Sequence, residues 1–325
     1  MAKQSRPHPT ATDWSARYAM ADETVVFRAG GRGEGGRPRV TIGMPTYRRG
    51  AVIRRALESI AAQTYRDFVL VISDNNGDDP VTQEAVRAMA DAFPEVVLIA
   101  QPENIGVMQN LLRLIGLAET EYFMWLADDD EISPNYLEEL VGLLDADPEM
   151  VSAQGQWRKM LDGHTFVEPD IVEAGQGGRA ARLARFIALG RDDTLFYGVH
   201  RVEALRKTRF EGYFWPNREM LTNFCYVQIF DLLWQGRVGY SKSAYWTSHN
   251  YSVKGYTAAR AASVKDRAKT LVRRVNVHWL YLRKTASRNP ALLTVVAPAA
   301  AAGFGYDIAS AVGRFAGRAI GKRGK

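Results

Sequence analysis

Three aspartates in succession, Asp128, Asp129 and Asp130, stand directly after the apolar run at 122–126. Like charges this close raise one another's pKa unless a positive charge lies between them. A divalent cation, Mn²⁺ or Mg²⁺, meets that need, because it takes hard oxygen ligands and keeps phosphate oxygens in its shell. An Asp-x-Asp arrangement lets one carboxylate face the metal while the other faces a sugar hydroxyl. An acidic loop capping the helix that follows is the plainer alternative, and a triplet alone does not choose between them. Asp74 and Asn75, in Ser73-Asp74-Asn75-Asn76-Gly77, could hydrogen-bond a nucleobase edge or a ribose, yet these are also the usual turn residues. Asn104, before Ile105-Gly106, marks a helix start that suits an anion or is merely a cap. His249 is a further candidate metal ligand, weighed against a packing histidine.

The elements that must position these residues are legible from periodicity. Apolar strands are expected at 40–44, 68–72, 96–100 and 122–126, alternating with helical spacing at 51–60, 81–93 and 106–117. That alternation predicts an α/β fold whose parallel sheet is covered on both faces. Ligands collect at the carboxyl ends of such strands. Pro45-Thr46-Tyr47, Asp74-Asn75-Asn76 and Asp128-Asp129-Asp130 all fall at those ends. Ser133 reads as the N-cap of a helix running from Pro134 to 144. A strand follows at 150–157, then loop at 160–177, helices at 179–189 and 218–234, and strands near 195–200 and 237–247. From 258 the chain reads as helical, broken around Pro290 and Pro298. Residues 1–38, polar and rich in Gly and Arg, read as a flexible leader with a short ordered piece at 24–27.

Taken together, VTIGMPTYRRG, VLVISDNNGDD, ENIG and FMWLADDDEISPNYLEEL resemble the family 2 glycosyltransferases. The resemblance covers 39–160 well and 195–250 loosely, and four motifs in order are far more specific than any one. It implies a GT-A-type fold, with a mostly parallel Rossmann-like sheet, flanking helices and a C-terminal helical appendage. The implied domains are 39–257, with a nucleotide-sugar half at 39–157 and an acceptor half at 158–257, and a basic helical region at 258–325. The resemblance also implies that Pro45, Thr46 and Tyr47 line the donor nucleoside pocket and that Asp74 reads the base of a UDP-sugar or dTDP-sugar, with Asn75 beside it. Asp130 would be the principal metal ligand, Asp128 and Asp129 would lie nearer ribose and sugar, and His249 near the metal or pyrophosphate. An inverting transfer needs a carboxylate base. Here the chain departs from the family, since counting back from Gly236 by the usual spacing reaches 223–225, where there is no acid. Glu219 is the first candidate base and Asp231 the second, although a place inside an apolar helix suits Asp231 to a structural role.

One cysteine in 325 residues excludes an internal disulfide framework and a cysteine-based zinc site. The charge is lopsided: 258–325 holds 14 Lys and Arg against two acids, a net +12, so the remainder carries −6 of the overall +6. A basic helical end with Arg314, Arg318 and Lys322 at helical spacing suits an anionic membrane surface better than a spanning helix. The expectation is a cytoplasmic enzyme, peripheral on the inner face of the cell membrane, with a glycan or lipid-linked acceptor and no nucleic acid partner. Packing of the tail as a homo-oligomer interface is the alternative. Competing readings are a non-catalytic glycan-binding scaffold on a transferase fold, favoured by the missing acid, and a sugar-phosphate nucleotidyltransferase. The latter calls for a Gly-rich phosphate loop where this chain has PTYRRG.

Overall fold

The computed structural model describes residues 23–31, 36–77, 79–161, 164–167, 175–189, 193–208, 221–249 and 264–321. The chain divides into two compact units, one built from 1–169, 194–211 and 238–251, the other from 170–193, 212–237 and 252–325.

The first unit is a mixed ten-stranded sheet with helices against it. Its centre is parallel: β2 (Val40–Thr46), β3 (Phe68–Asp74), β4 (Glu95–Ala100) and β5 (Tyr122–Trp125) lie in the order β4-β3-β2-β5. Every residue of β3 is buried, which is why its sequence is apolar without alternation. The crossovers carry α1 (Ile53–Ala61), α2 (Pro80–Ala88) and α3 (Val107–Leu117). α1 buries Ile53, Ala56, Leu57 and Ile60, the i, i+3, i+4, i+7 stripe of an amphipathic helix. A Cβ at Gly43 would come within 2.6 Å of the Phe123 ring, so β2 and β5 pack this closely only because that position is glycine.

Antiparallel strands extend this centre on both sides. β1 (Thr24–Gly30) pairs with β4 at one edge. Beyond β5 lie β9 (Val199–Arg201), β7 (Met150–Leu161), β10 (Arg237–His249) and the two-residue β6 (Glu131–Ile132), while β8 (His164–Val167) forms a hairpin with β7. α4 (Tyr136–Ala146) packs on β7. α6 (Val202–Arg206) is a single short turn.

Several details depart from the sequence expectations for physical reasons. The ordered piece in the leader is longer than expected and is a full edge strand, β1. The stretch at 160–177 holds the end of β7 and the hairpin strand β8. The strand expected near 195–200 is mostly a 3₁₀ turn at Thr194–Tyr197, leaving three residues for β9. Ser133 does not cap α4, because its Oγ instead accepts the Tyr245 N–H at 3.0 Å.

The second unit is helical: α5 (Arg179–Ala188), α7 (Leu221–Gln235), α8 (Val264–Arg288) and α9 (Leu293–Gly321). α5 packs on α7 and α9, and α8 also packs on both. Phe230 stacks on Tyr281 at 4.9 Å between ring centres, joining α7 to α8. The chain breaks at Asn289 and Pro290, as expected, but Pro298 lies within α9. The carbonyl that Pro298 leaves without its helical donor belongs to Thr294, an exposed residue that water can reach. Among the described residues no helix is long and apolar enough to cross a membrane.

Candidate active site

The carboxyl ends of β2, β3 and β5 converge on one edge of the sheet. Strand register sets Pro45 beside Ser73 and Thr46 beside Asp74, and the Asn75 N–H donates to the Thr46 carbonyl at 2.8 Å. Asp74 is 1% exposed and Asn75 4%. Asn75 is also a bracket. Its Oδ1 accepts from the Ile105 N–H at 2.8 Å, and its amide donates to Asn104 Oδ1 at 3.0 Å. Asn104 Oδ1 in turn accepts from the Gly106 N–H, so Asn104 joins the end of β3 to the start of α3 rather than capping the helix in isolation. Tyr47 is 40% exposed.

The aspartates follow β5, whose extension is fixed by the Leu126 N–H donating to the Gly43 carbonyl. Asp128 and Asp130 are buried, and Asp129 lies nearer solvent. Burial pushes the Asp128 carboxyl up to about 6, opposed by the Arg49 guanidinium. Asp130 rises further, to about 8, through burial and then the negative charge of Asp129, while the His249 backbone N–H pulls it back. That N–H donates to Asp130 Oδ1 at 3.1 Å, delivered by β10, where Trp246 and Thr247 pair with Ile132 and Glu131. The His249 imidazole itself is turned to Glu131, Nε2 to Oε1 at 3.1 Å, and Glu131 also holds Arg55 at 3.0 Å. Below the loop, the buried Gln63 amide donates to the Ser133 carbonyl at 2.8 Å and its oxygen accepts the Leu137 N–H.

The donor set suits a hard divalent cation. Two desolvated carboxylates this close are costly to ionise together, most of all Asp130, and a divalent cation beside them would offset that cost. Among the described residues no group of three or more His, Cys, Asp or Glu side chains is arranged to hold a metal ion. A cation here would therefore complete its shell with ligand and water oxygens, as Mg²⁺ habitually does.

The structure brings Pro45, Thr46, Tyr47, Asp74, Asn75, Asn104, Asp128, Asp129 and Asp130 to one edge. Asp231 belongs to the second unit, where its carboxylate is 1% exposed, with Lys284 Nζ at 2.7 Å and Arg288 Nη1 at 2.8 Å. Glu219 lies outside the described residues. Sequence reasoning passed over Arg49, Arg55 and Glu131. Arg49 reaches both Asp128 Oδ1, at 3.1 Å, and Asp129 Oδ2, at 3.2 Å. Its only signal in the sequence was a pair of arginines after Pro45-Thr46-Tyr47.

Comparison with known proteins agrees with this geometry. The glycosyl transferase family 2 model matches residues 41–209. The putative colanic acid biosynthesis glycosyl transferase WcaA of Escherichia coli is 33% identical over 101 residues, 31% of this chain and 36% of that protein. An uncharacterized glycosyltransferase of Rickettsia bellii is 32% identical over 108 residues, covering 33% of this chain and 15% of the relative. The chain thus spans well under half the length of these relatives. Among solved structures, S. aureus TarS 1–349 in complex with UDP-GlcNAc has the same fold at a TM-score of 0.53 and 15% identity, over 77% of this chain and 73% of that one. A match to just over half of its 325 residues shows that the chain belongs to glycosyl transferase family 2.

Proposed function

We propose that this chain transfers a sugar from a nucleoside-diphosphate sugar, UDP- or dTDP-linked, to a glycan or lipid-linked acceptor with inversion at the anomeric carbon. The observation that carries the reading is the gathering of the buried Asp74 with the buried Asp128 and Asp130 at one carboxyl edge of the sheet. TarS, the structural relative of the same fold, holds UDP-GlcNAc, which supports a nucleotide-sugar donor.

Thr46, Asp74 and Asn75 would orient the nucleoside. Asp128 and Asp130 would hold Mn²⁺ or Mg²⁺, with Asp129 beside them; His249 would join them only by leaving Glu131. Bound there, the cation would supply positive charge to offset the negative charge developing on the diphosphate leaving group. Glu219 is the base we assign, taking the proton of the acceptor hydroxyl. Asp231 is the weaker assignment, because Lys284 and Arg288 already engage it. The basic C-terminal helices would set the enzyme on the inner face of an anionic membrane, where a lipid-linked acceptor resides.

The test is release of nucleoside diphosphate from a panel of nucleotide sugars with Mn²⁺, Mg²⁺ or EDTA. Metal-dependent turnover that falls by at least about 100-fold in Asp130→Ala is expected; unchanged turnover would remove the metal assignment. Glu219→Gln should stop transfer while donor binding persists, and retained transfer would remove that base. If no donor binds at any metal concentration, the glycan-binding scaffold reading prevails.

A further inference from the structure

Arg49 reaches into the aspartate cluster from the turn after β2. Its guanidinium spans Asp128 and Asp129 through Nε and Nη2, with the Asp128 carboxylate almost wholly buried and the arginine side chain 45% exposed. The backbone is bent to aim it. Arg48 has φ of 52° and Gly50 has the same, so left-handed residues flank Arg49 on both sides. An arginine in that region is uncommon, and such outliers persist only where the surroundings over-determine them. Here the over-determination comes from α2. Asp79 Oδ2 accepts the Gly50 N–H at 2.9 Å and Thr82 Oγ1 accepts it at 3.0 Å, while Asp79 Oδ1 accepts the Val81 and Thr82 N–H groups at the helix start. The loop is thus anchored by Asp79 and Thr82, and the Arg49 ion pairs are not needed to hold it. Half-exposed ion pairs contribute little stability in any case.

We propose that Arg49 is a built-in counter-ion of the aspartate cluster, pairing with Asp128 and Asp129 in the cation-free protein and giving way when a divalent cation binds. The inference rests on the metal assignment made above for Asp128 and Asp130. The exclusion is physical. Asp128 Oδ1 cannot serve both partners at full strength, and a guanidinium and a divalent ion within a few ångströms repel in a partly buried setting. Arg49 thereby holds Asp128 and Asp129 in place in the absence of cation. It also sets the cation affinity below what the carboxylates alone would give, so that diphosphate oxygens are required for tight binding.

Mn²⁺ titrated into the full chain without donor, followed by calorimetry or by the loss of the free Mn²⁺ electron spin resonance signal, reads this directly. Arg49→Gln should bind Mn²⁺ about tenfold more tightly than the wild type, with Arg49→Lys between them. Thermal melts give a second readout: Mn²⁺ should raise the Tm of Arg49→Gln by more than that of the wild type. A purely structural arginine would lower Tm equally with and without metal. Equal or weaker Mn²⁺ affinity in Arg49→Gln, with binding abolished by Asp130→Ala, overturns the counter-ion proposal and leaves the metal assignment standing. Failure of both wild type and Arg49→Gln to bind Mn²⁺ overturns both.

Discussion

His200 is fully buried in the first unit, its Nε2 donating to the Phe196 carbonyl at 3.1 Å and its Nδ1 facing the Ser152 hydroxyl at 2.7 Å. Burial holds its pKa down to about 4 from the ordinary 6.5. The unfolded chain therefore takes up a proton below 6.5 that the folded chain refuses until about 4. Stability from this group is full above 6.5 and is lost as pH falls through that window, by about 2 kcal/mol at pH 5. Urea unfolding at pH 7 and pH 5 checks it: His200→Gln should lose clearly less stability over this step than the wild type, and equal losses would reject the assignment. Residues of this kind were hard to read from the sequence, since nothing around His200 announces its burial. Asp74, Asp128 and Asp130 were legible because each ends a fully apolar strand. Arg49 was not, because its place depends on a left-handed Arg48 and on β2 lying next to β5.

Asp79 shows how elements hold the site. It opens α2 as N-cap and accepts the Gly50 N–H from the turn after β2, and these hydrogen bonds hold its carboxyl below the usual range. Asp79→Ala should cost about 1–2 kcal/mol, the value of a good helix cap. It should also loosen the turn that aims Arg49. Chemical denaturation measures the first effect. Faster hydrogen exchange at Gly50 relative to the core of β3 measures the second, and unchanged Gly50 protection would mean that Thr82 alone anchors the turn. The parallel strands and their crossover helices were predictable because burial on both faces removes polar alternation from the sequence. β1, β8 and β9 were blurred for the opposite reason. β1 is an edge strand with mixed exposure, and β9 has three residues whose pairing with β5 and β7 is purely tertiary.

For the molecule as a whole, the positive charge concentrates in 258–325, and exposed apolar side chains lie on the helices of the second unit too. Val275 and Trp279 lie one turn apart on the outer side of α8, with the Arg283 guanidinium over the Trp279 ring at 5.4 Å. Tyr306 and Ile308 are exposed on α9, and Leu189 follows α5. Aromatic rings with basic neighbours are the composition of an interfacial anchor. The proposed membrane contact then predicts co-sedimentation with vesicles containing phosphatidylglycerol but not with pure phosphatidylcholine. Joint Trp279→Ser and Tyr306→Ser replacement should weaken it several-fold, on the order of 1 kcal/mol per ring; equal retention by the double variant would argue for the oligomer interface instead.

The N–H that steadies Asp130 comes from His249, 119 residues further along the chain. At ribosomal rates of roughly 5–20 residues per second, that separation is on the order of ten seconds of translation. A nascent chain therefore carries its aspartate triplet into the cell well before β10 arrives to pair with β6. Through that interval Asp130 lacks this donor, and the buried cluster is completed only when that late strand docks.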